Sequence, residues 1–158
     1  MIKIEQFTFN PFQENTYVLY DESKECIIID PGCYEPHEQE ELTQFITSKN
    51  LNPVILALTH SHIDHVLGNQ FICNRFKLKP QPSPEPEIFL EEGNAMTFGN
   101  STLEIRFVPG HAPGHIVFIS HEDKFVINGD CLFYGSIGRT DLPGGDHQTL
   151  LNSIKNAL

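Results

Sequence analysis

The heptapeptide Thr59-His60-Ser61-His62-Ile63-Asp64-His65 carries more information about this 158-residue chain than any other stretch. It follows the apolar run 53–58, which predicts a strand buried on both faces. His60 and His62 stand two residues apart in a predicted loop, so both imidazoles can turn toward one ion. Asp64 and His65 can then serve a neighbouring ion. Imidazole and carboxylate ligands suit Zn²⁺, and also Fe²⁺ or Mn²⁺.

Three further predicted strands end on a residue that can bind or orient a metal, namely Asp30, His111 and Asp130. If these strands lie side by side, their ends share one edge, where loops on a rigid scaffold form ligand sites. His111 is the better ligand of its loop because it stands directly at the strand end. His115 is either a residue that supports a ligand or a satisfied core histidine. Asp130 alone favours an Asx turn, but beside the histidine string it is interpreted as a bridge between two metals.

The rest of the chain mixes strands with helices. Strands are predicted over residues 2–9, 15–20, 25–29, 102–108, 116–120 and 125–128, and helices over 37–49, 66–76 and 149–158. Residues 80–86 hold four prolines, which predict a loop or a joint. This pattern indicates an α/β or α+β protein, and the length favours one domain.

The charge and composition of the chain argue against several classes of partner. The formal net charge of −11 argues against a nucleic-acid partner, because phosphate contacts need clustered lysine and arginine. We expect no membrane partner, since no apolar run reaches the roughly 18–20 residues of a membrane helix. The N-terminus has no signal-peptide core and the four cysteines form no C-x-x-C pair, so a reducing, cytoplasmic location is expected. Three remaining histidines, His37, His121 and His147, are predicted to be exposed.

These motifs resemble the metallo-β-lactamase superfamily. Its signature is Thr-His-x-His-x-Asp-His after a buried strand, then Pro-Gly-His-x-x-Gly-His, then Gly-Asp. Here the three parts are residues 59–65, 109–115 and 129–130. The run 129–141 is similar to the glyoxalase II-like (hydroxyacylglutathione hydrolase-like) branch. The resemblance implies an αββα four-layer sandwich, with two β-sheets face to face and helices outside.

The resemblance also implies a two-metal site, with zinc as the expected metal. Its implied ligands are His60, His62, Asp64, His65, His111 and Asp130. His60, His62 and His111 would hold the first ion, Asp64 and His65 the second, and Asp130 would lie between them. Asp30 and His115 would orient these ligands, and Arg139 falls where glyoxalase II enzymes place a basic residue near the substrate.

The chain departs from the family pattern at three places. Members carry a longer segment where this sequence has residues 80–86. They also continue past the last helix to a further strand, a Gly-His turn and a helix. Residues 1–158 are therefore interpreted as a single domain that lacks both segments. Asp141 replaces an aromatic residue expected near glutathione, so the resemblance does not extend to glutathione as the thiol carrier.

The predicted function is a metal-dependent hydrolase that attacks a small thioester or ester with metal-activated hydroxide, with Asp64 orienting the nucleophile. The alternative is a mononuclear iron sulfur (persulfide) dioxygenase, whose iron ligands would be His60, His111 and Asp130. A β-lactamase is less favoured without an export signal, and a nuclease without a basic surface. The non-enzyme alternative is a purely structural metal site. The partner is a small molecule, and the sequence does not determine the oligomeric state.

Overall fold

The computed structural model describes residues 1–78 and 92–158. The proline-rich stretch 80–86 lies outside the described residues. Within them the chain forms two compact units, one of residues 1–78 and 97–102 and one of residues 92–96 and 103–158. A single domain over residues 1–158 stays a prediction. In the described ranges, no helix has both the length and the apolar character needed to cross a bilayer.

The first unit contains a four-stranded sheet. Its strands, in spatial order, are β1 (Lys3–Phe9), β2 (Glu14–Tyr20), β3 (Glu25–Ile29) and β4 (Asn52–Ala57). The first three pair antiparallel, whereas β4 runs parallel to β3 because helix α1 (Pro36–Ser48) connects them. Two shorter helices follow β4, α2 (Ile63–Val66) and α3 (Asn69–Phe76). The strand ends Asp30 and Thr59 therefore come from neighbouring parallel strands.

Apolar spacing explains which faces of these elements are buried. On β1 the alternating Phe7 and Phe9 are buried, and on α1 Leu42 and Ile46 lie four residues apart and share the buried face. These side chains pack into one core with β2, β3, β4 and α3. The prediction that β4 is buried on both faces is wrong for its first half. Residues 53–55 are only half-buried, because β4 is the last strand in this sheet's order.

The predicted helix over 66–76 is divided in the structure. Leu67 and Gly68 separate α2 from α3. The Gly68 amide donates to the Pro31 carbonyl at 2.7 Å, and a Cβ on Gly68 would lie 2.6 Å from the Cys33 Sγ. The break thus comes from a close approach to the loop after β3, a contact that local helix propensity does not contain.

The second unit contains most of a second four-stranded sheet, whose last three strands pair antiparallel. Its order is β5 (Ala95–Phe98), β6 (Ser101–Phe107), β7 (Ile116–Ser120) and β8 (Phe125–Ile127). A hairpin of β9 (Leu132–Phe133) and β10 (Ser136–Ile137) and helix α4 (His147–Ala157) follow. Strands β5, β9 and β10 escaped the sequence analysis because they are only two to four residues long. Mixed sheets with helices confirm the α+β class.

Asp21, in the turn between β2 and β3, gives a prediction about acid stability. Its buried carboxylate accepts hydrogen bonds from Ser23, Asn100 and Ser101. Burial alone would raise its pKa, but these hydrogen bonds prevail and lower the pKa to about 2. A depressed pKa stabilises the folded protein above the ordinary value of 3.8, and this contribution is lost as pH falls toward about 2.

We therefore expect Asp21→Asn to lower the melting temperature at pH 6, and this deficit to shrink between pH 4 and pH 2. Thermal unfolding of both proteins across that pH range checks this. A deficit that stays constant with pH would contradict the assigned role of the charge.

Candidate metal centre

In the first unit, Asp30 is a buried hydrogen-bond acceptor at the end of β3. Its Oδ1 accepts from the Thr59 amide at 2.7 Å, and its Oδ2 accepts from the Thr59 hydroxyl at 2.6 Å and from His65 Nδ1 at 3.0 Å. Asp30 is 0% exposed and has φ of 51°, a left-handed conformation that Asp tolerates better than most residues. Protein donors thus occupy both oxygens of Asp30 and connect it to Thr59 and His65. That Asp30 orients metal ligands stays a prediction.

These hydrogen bonds determine which nitrogen each imidazole offers. Thr59 gives its hydroxyl proton to Asp30, so Thr59 Oγ1 accepts from His60 Nδ1 at 2.9 Å. His65 likewise donates its Nδ1 proton to Asp30. Both rings therefore present the Nε2 lone pair, which is the arrangement of histidines that bind metals in proteins.

The string predicted from the sequence is compact in the structure. The ring of His60 lies 4.6 Å from that of His62 and 4.2 Å from that of His65, measured between centroids. His60 and His65 are buried, whereas His62 and Asp64 are partly buried. His65 Nε2 lies 3.5 Å from Asp64 Oδ2. In the first unit, the string therefore joins two buried histidines to two side chains that solvent can reach.

Two residues that the sequence analysis missed hold these loops together. The Asn10 side-chain amide donates to the carbonyls of Gly32 and Asp64, both at 3.0 Å. The buried Glu38 carboxylate accepts from the amides of Asn10 at 2.6 Å and Tyr34 at 2.7 Å. The only sequence signal was the position of Asn10 directly after a predicted strand. Asn10 and Glu38 thus connect the β1–β2 turn to the loops after β3 and β4.

Glu14 also escaped the sequence analysis, which began that strand at residue 15. It is 4% exposed, and its Oε1 lies 3.7 Å from His65 Nδ1. Removal from solvent is the main cause that raises the pKa of this carboxyl to about 9. Fully buried acidic side chains are rare in proteins. Once the strand register is known, an acidic residue at an inward-facing position therefore indicates a candidate functional residue.

In the second unit, His111 lies in the loop between β6 and β7. Its Nδ1 donates to the Arg139 carbonyl at 2.7 Å, so its Nε2 also offers a lone pair. That Nε2 lies 3.6 Å from Asp130 Oδ2. A Cβ on Gly138 would lie 1.8 Å from the Asp130 carbonyl oxygen and 3.1 Å from His111 Nδ1. Gly138 is therefore needed for this close approach.

His115 is fully buried and supports Asp130. Its Nε2 accepts a hydrogen bond from the Asp130 amide at 3.3 Å. Both roles that the sequence left open for His115, support of a ligand and a satisfied core histidine, stay predictions. This contact holds the Asp130 backbone, while the Asp130 side chain remains partly exposed.

Arg139 contributes to the site through its backbone carbonyl. Its guanidinium is exposed and forms two 2.7 Å hydrogen bonds with Asp141. These bonds with Arg139 lower the pKa of Asp141 to about 2. A substrate contact by Arg139 stays a prediction. His37, His121 and His147 are exposed, as predicted.

The donor chemistry suits divalent metal ions. Asp64 with His65, and Asp130 with His111, each bring a carboxylate oxygen within 3.5–3.6 Å of an imidazole nitrogen. Ligands about 2.0–2.2 Å from a tetrahedral Zn²⁺ lie about 3.3–3.6 Å from one another, a range that includes the observed distances. Iron and manganese suit the same donors.

Comparisons with known proteins identify the family of this chain. The profile of the metallo-beta-lactamase superfamily matches residues 9–85 and 77–158. The hydroxyacylglutathione hydrolase GloC of Haemophilus influenzae is 36% identical over 99% of this chain and 84% of its own length.

Two further similarities are informative. The crystal structure of the B3 metallo-beta-lactamase BLEG-1 has a TM-score of 0.87 at 30% identity, covering 99% of this chain and 85% of that one. Mouse (Mus musculus) persulfide dioxygenase ETHE1 is 31% identical over 88% of this chain, which spans 56% of that relative. The chain therefore belongs to the metallo-beta-lactamase superfamily, as a glyoxalase II-like member with the fold of that superfamily.

Proposed function

We propose that this protein is a metal-dependent hydrolase that cleaves a small thioester or related ester. The observation that carries the proposal is the orientation of three imidazole rings. His60, His65 and His111 each donate the Nδ1 proton to a protein acceptor, so each ring presents Nε2. Two of those nitrogens face a carboxylate at 3.5–3.6 Å. The similarity to GloC supports a thioester as the substrate.

The proposed ligands are those implied by the family signature. They are His60, His62, Asp64, His65, His111 and Asp130. When bound, the ions lower the pKa of coordinated water toward neutrality and polarise the acyl carbonyl. The chain's own residues orient the reactants: Asp64 aligns the attacking water, and Asp30 keeps His65 in the tautomer that binds metal. Zinc as the resident metal and a cytoplasmic location remain predictions.

A second candidate function is persulfide dioxygenation, which the similarity to ETHE1 favours. That reaction would use one iron on His60, His111 and Asp130. Metal analysis of protein purified without added metal separates the two. About two zinc ions per chain support hydrolysis, whereas about one iron supports the dioxygenase.

Removal of metal provides a direct test of the hydrolase. We expect dialysis against a strong chelator to abolish thioester hydrolysis and added Zn²⁺ to restore it, because the attacking hydroxide depends on the ions. Initial rates should be measured with a hydroxyacylglutathione, a simple acyl thioester and a β-lactam. Unchanged thioester hydrolysis in the metal-stripped protein would contradict the proposal. A preference for the β-lactam would reassign the substrate class.

A further inference from the structure

Glu14 has an environment that the proposed mechanism does not use. Its side chain is fully buried at the start of β2, where a carboxylic acid loses its hydration. Oε2 lies 2.9 Å from the Thr16 hydroxyl, but among the described residues Oε1 has no hydrogen-bond partner. A buried polar atom left in this state is costly, and such atoms in native proteins call for an explanation.

The position of that oxygen indicates its role. Oε1 lies 3.7 Å from His65 Nδ1, the nitrogen that donates to Asp30 Oδ2 at 3.0 Å. Two carboxyl groups thus lie behind one imidazole, on the side opposite the nitrogen that is offered to metal. Asp30 Oδ2 is shared, because it also accepts the Thr59 hydroxyl. Glu14 Oε1 is a further acceptor near the His65 N–H, at 3.7 Å just beyond hydrogen-bond length.

The surrounding backbone is built to hold Glu14 there. The Thr16 hydroxyl lies 2.8 Å from the Asp30 carbonyl and accepts from the Gly32 amide at 2.9 Å. A Cβ on Gly32 would lie 2.0 Å from Glu14 Oε2, so this position must stay a glycine while Glu14 is in place. The loop after β3 therefore makes room for the carboxyl group beside His65.

We propose that Glu14 is a positioning residue for His65, which together with Asp30 forms a two-carboxyl support that keeps Nδ1 protonated and Nε2 directed at the metal. The inference rests on the proposed metal site and adds a residue to it. Supports of this kind orient the ring and raise its basicity, and their loss weakens metal binding by about 10- to 100-fold.

A scaffolding role for Glu14 is the alternative, and glutamine separates the two. Glu14→Gln keeps the length, the volume and a partner for Thr16, but it replaces the carboxyl group with an amide whose NH₂ group can face the His65 N–H. If Glu14 only filled space in the folded protein, this substitution would have little effect. We expect the variant to keep its circular dichroism spectrum, while the weaker of two Zn²⁺ dissociation constants, measured by competition with a fluorescent chelator, rises about tenfold.

A second readout does not depend on metal. In the metal-free protein, imidazole ¹⁵N NMR shifts report the fraction of His65 that carries its proton on Nδ1, and this fraction should fall in Glu14→Gln. Glu22→Gln is the matched control, because it removes one exposed carboxylate from the turn between β2 and β3. Unchanged shifts and wild-type Zn²⁺ affinity in Glu14→Gln would overturn the inference. If the wild-type protein itself binds no Zn²⁺, the proposed function fails instead.

Discussion

His62→Ala is expected to lower hydrolysis by at least about 10³-fold, because loss of a metal ligand removes several kcal/mol of transition-state stabilisation. His62 is partly buried at the first residue before α2, and its ring packs edge-on against His60. Its removal leaves no cavity in the apolar core of the first unit. The free energy of unfolding of the metal-free protein should therefore change by only about 0.5 kcal/mol.

The measurement combines metal content, initial rates and denaturant unfolding of the metal-free protein. His37→Ala is the matched control, since His37 is an exposed histidine on α1. We expect the control to keep full metal content and activity. If His62→Ala kept both metal and activity, His62 would not be a ligand and the proposed site would be wrong.

Asp30→Asn is expected to weaken metal binding by about 10- to 100-fold and to destabilise the protein by about 1.5–3 kcal/mol. Three donors converge on the two oxygens of Asp30, from the Thr59 amide, the Thr59 hydroxyl and His65 Nδ1. An asparagine in either orientation turns its NH₂ group against at least one of these donors. Asparagine tolerates the positive φ, so the effect comes from the hydrogen bonds and the charge.

Asp21→Asn is the control for this variant, because Asp21 is also a buried aspartate that several hydrogen bonds satisfy, at a turn remote in sequence from the histidine string. Both variants should unfold more easily, but only Asp30→Asn should lose Zn²⁺ affinity. Calorimetric titration with Zn²⁺ measures the affinity, and urea unfolding measures the free energy of unfolding. Equal losses of affinity would show that general destabilisation, not ligand orientation, explains the result.

Much of the fold was readable from local patterns. The strand boundaries 25–29 and 116–120 agree with β3 and β7, and helix α1 lies within one residue of its prediction. The spacing of apolar residues gave wrong predictions where contacts between residues distant in sequence determine the structure. The helix break at Gly68 depends on the loop at Pro31, and the half-burial of β4 depends on its place in the sheet.

The sequence by itself determined the chemistry available to this protein, because histidine and aspartate at strand ends in the order of the superfamily signature specify the donor atoms. Only the tertiary structure decided which hydrogen bonds orient those donor atoms. His65 is held by Asp30 from 35 positions away, and His111 by the Arg139 carbonyl from 28 positions away. Hydrogen bonds between residues so far apart depend on the pairing and packing of whole elements. No local pattern encodes them, and for the same reason Glu14 became visible only in the folded chain.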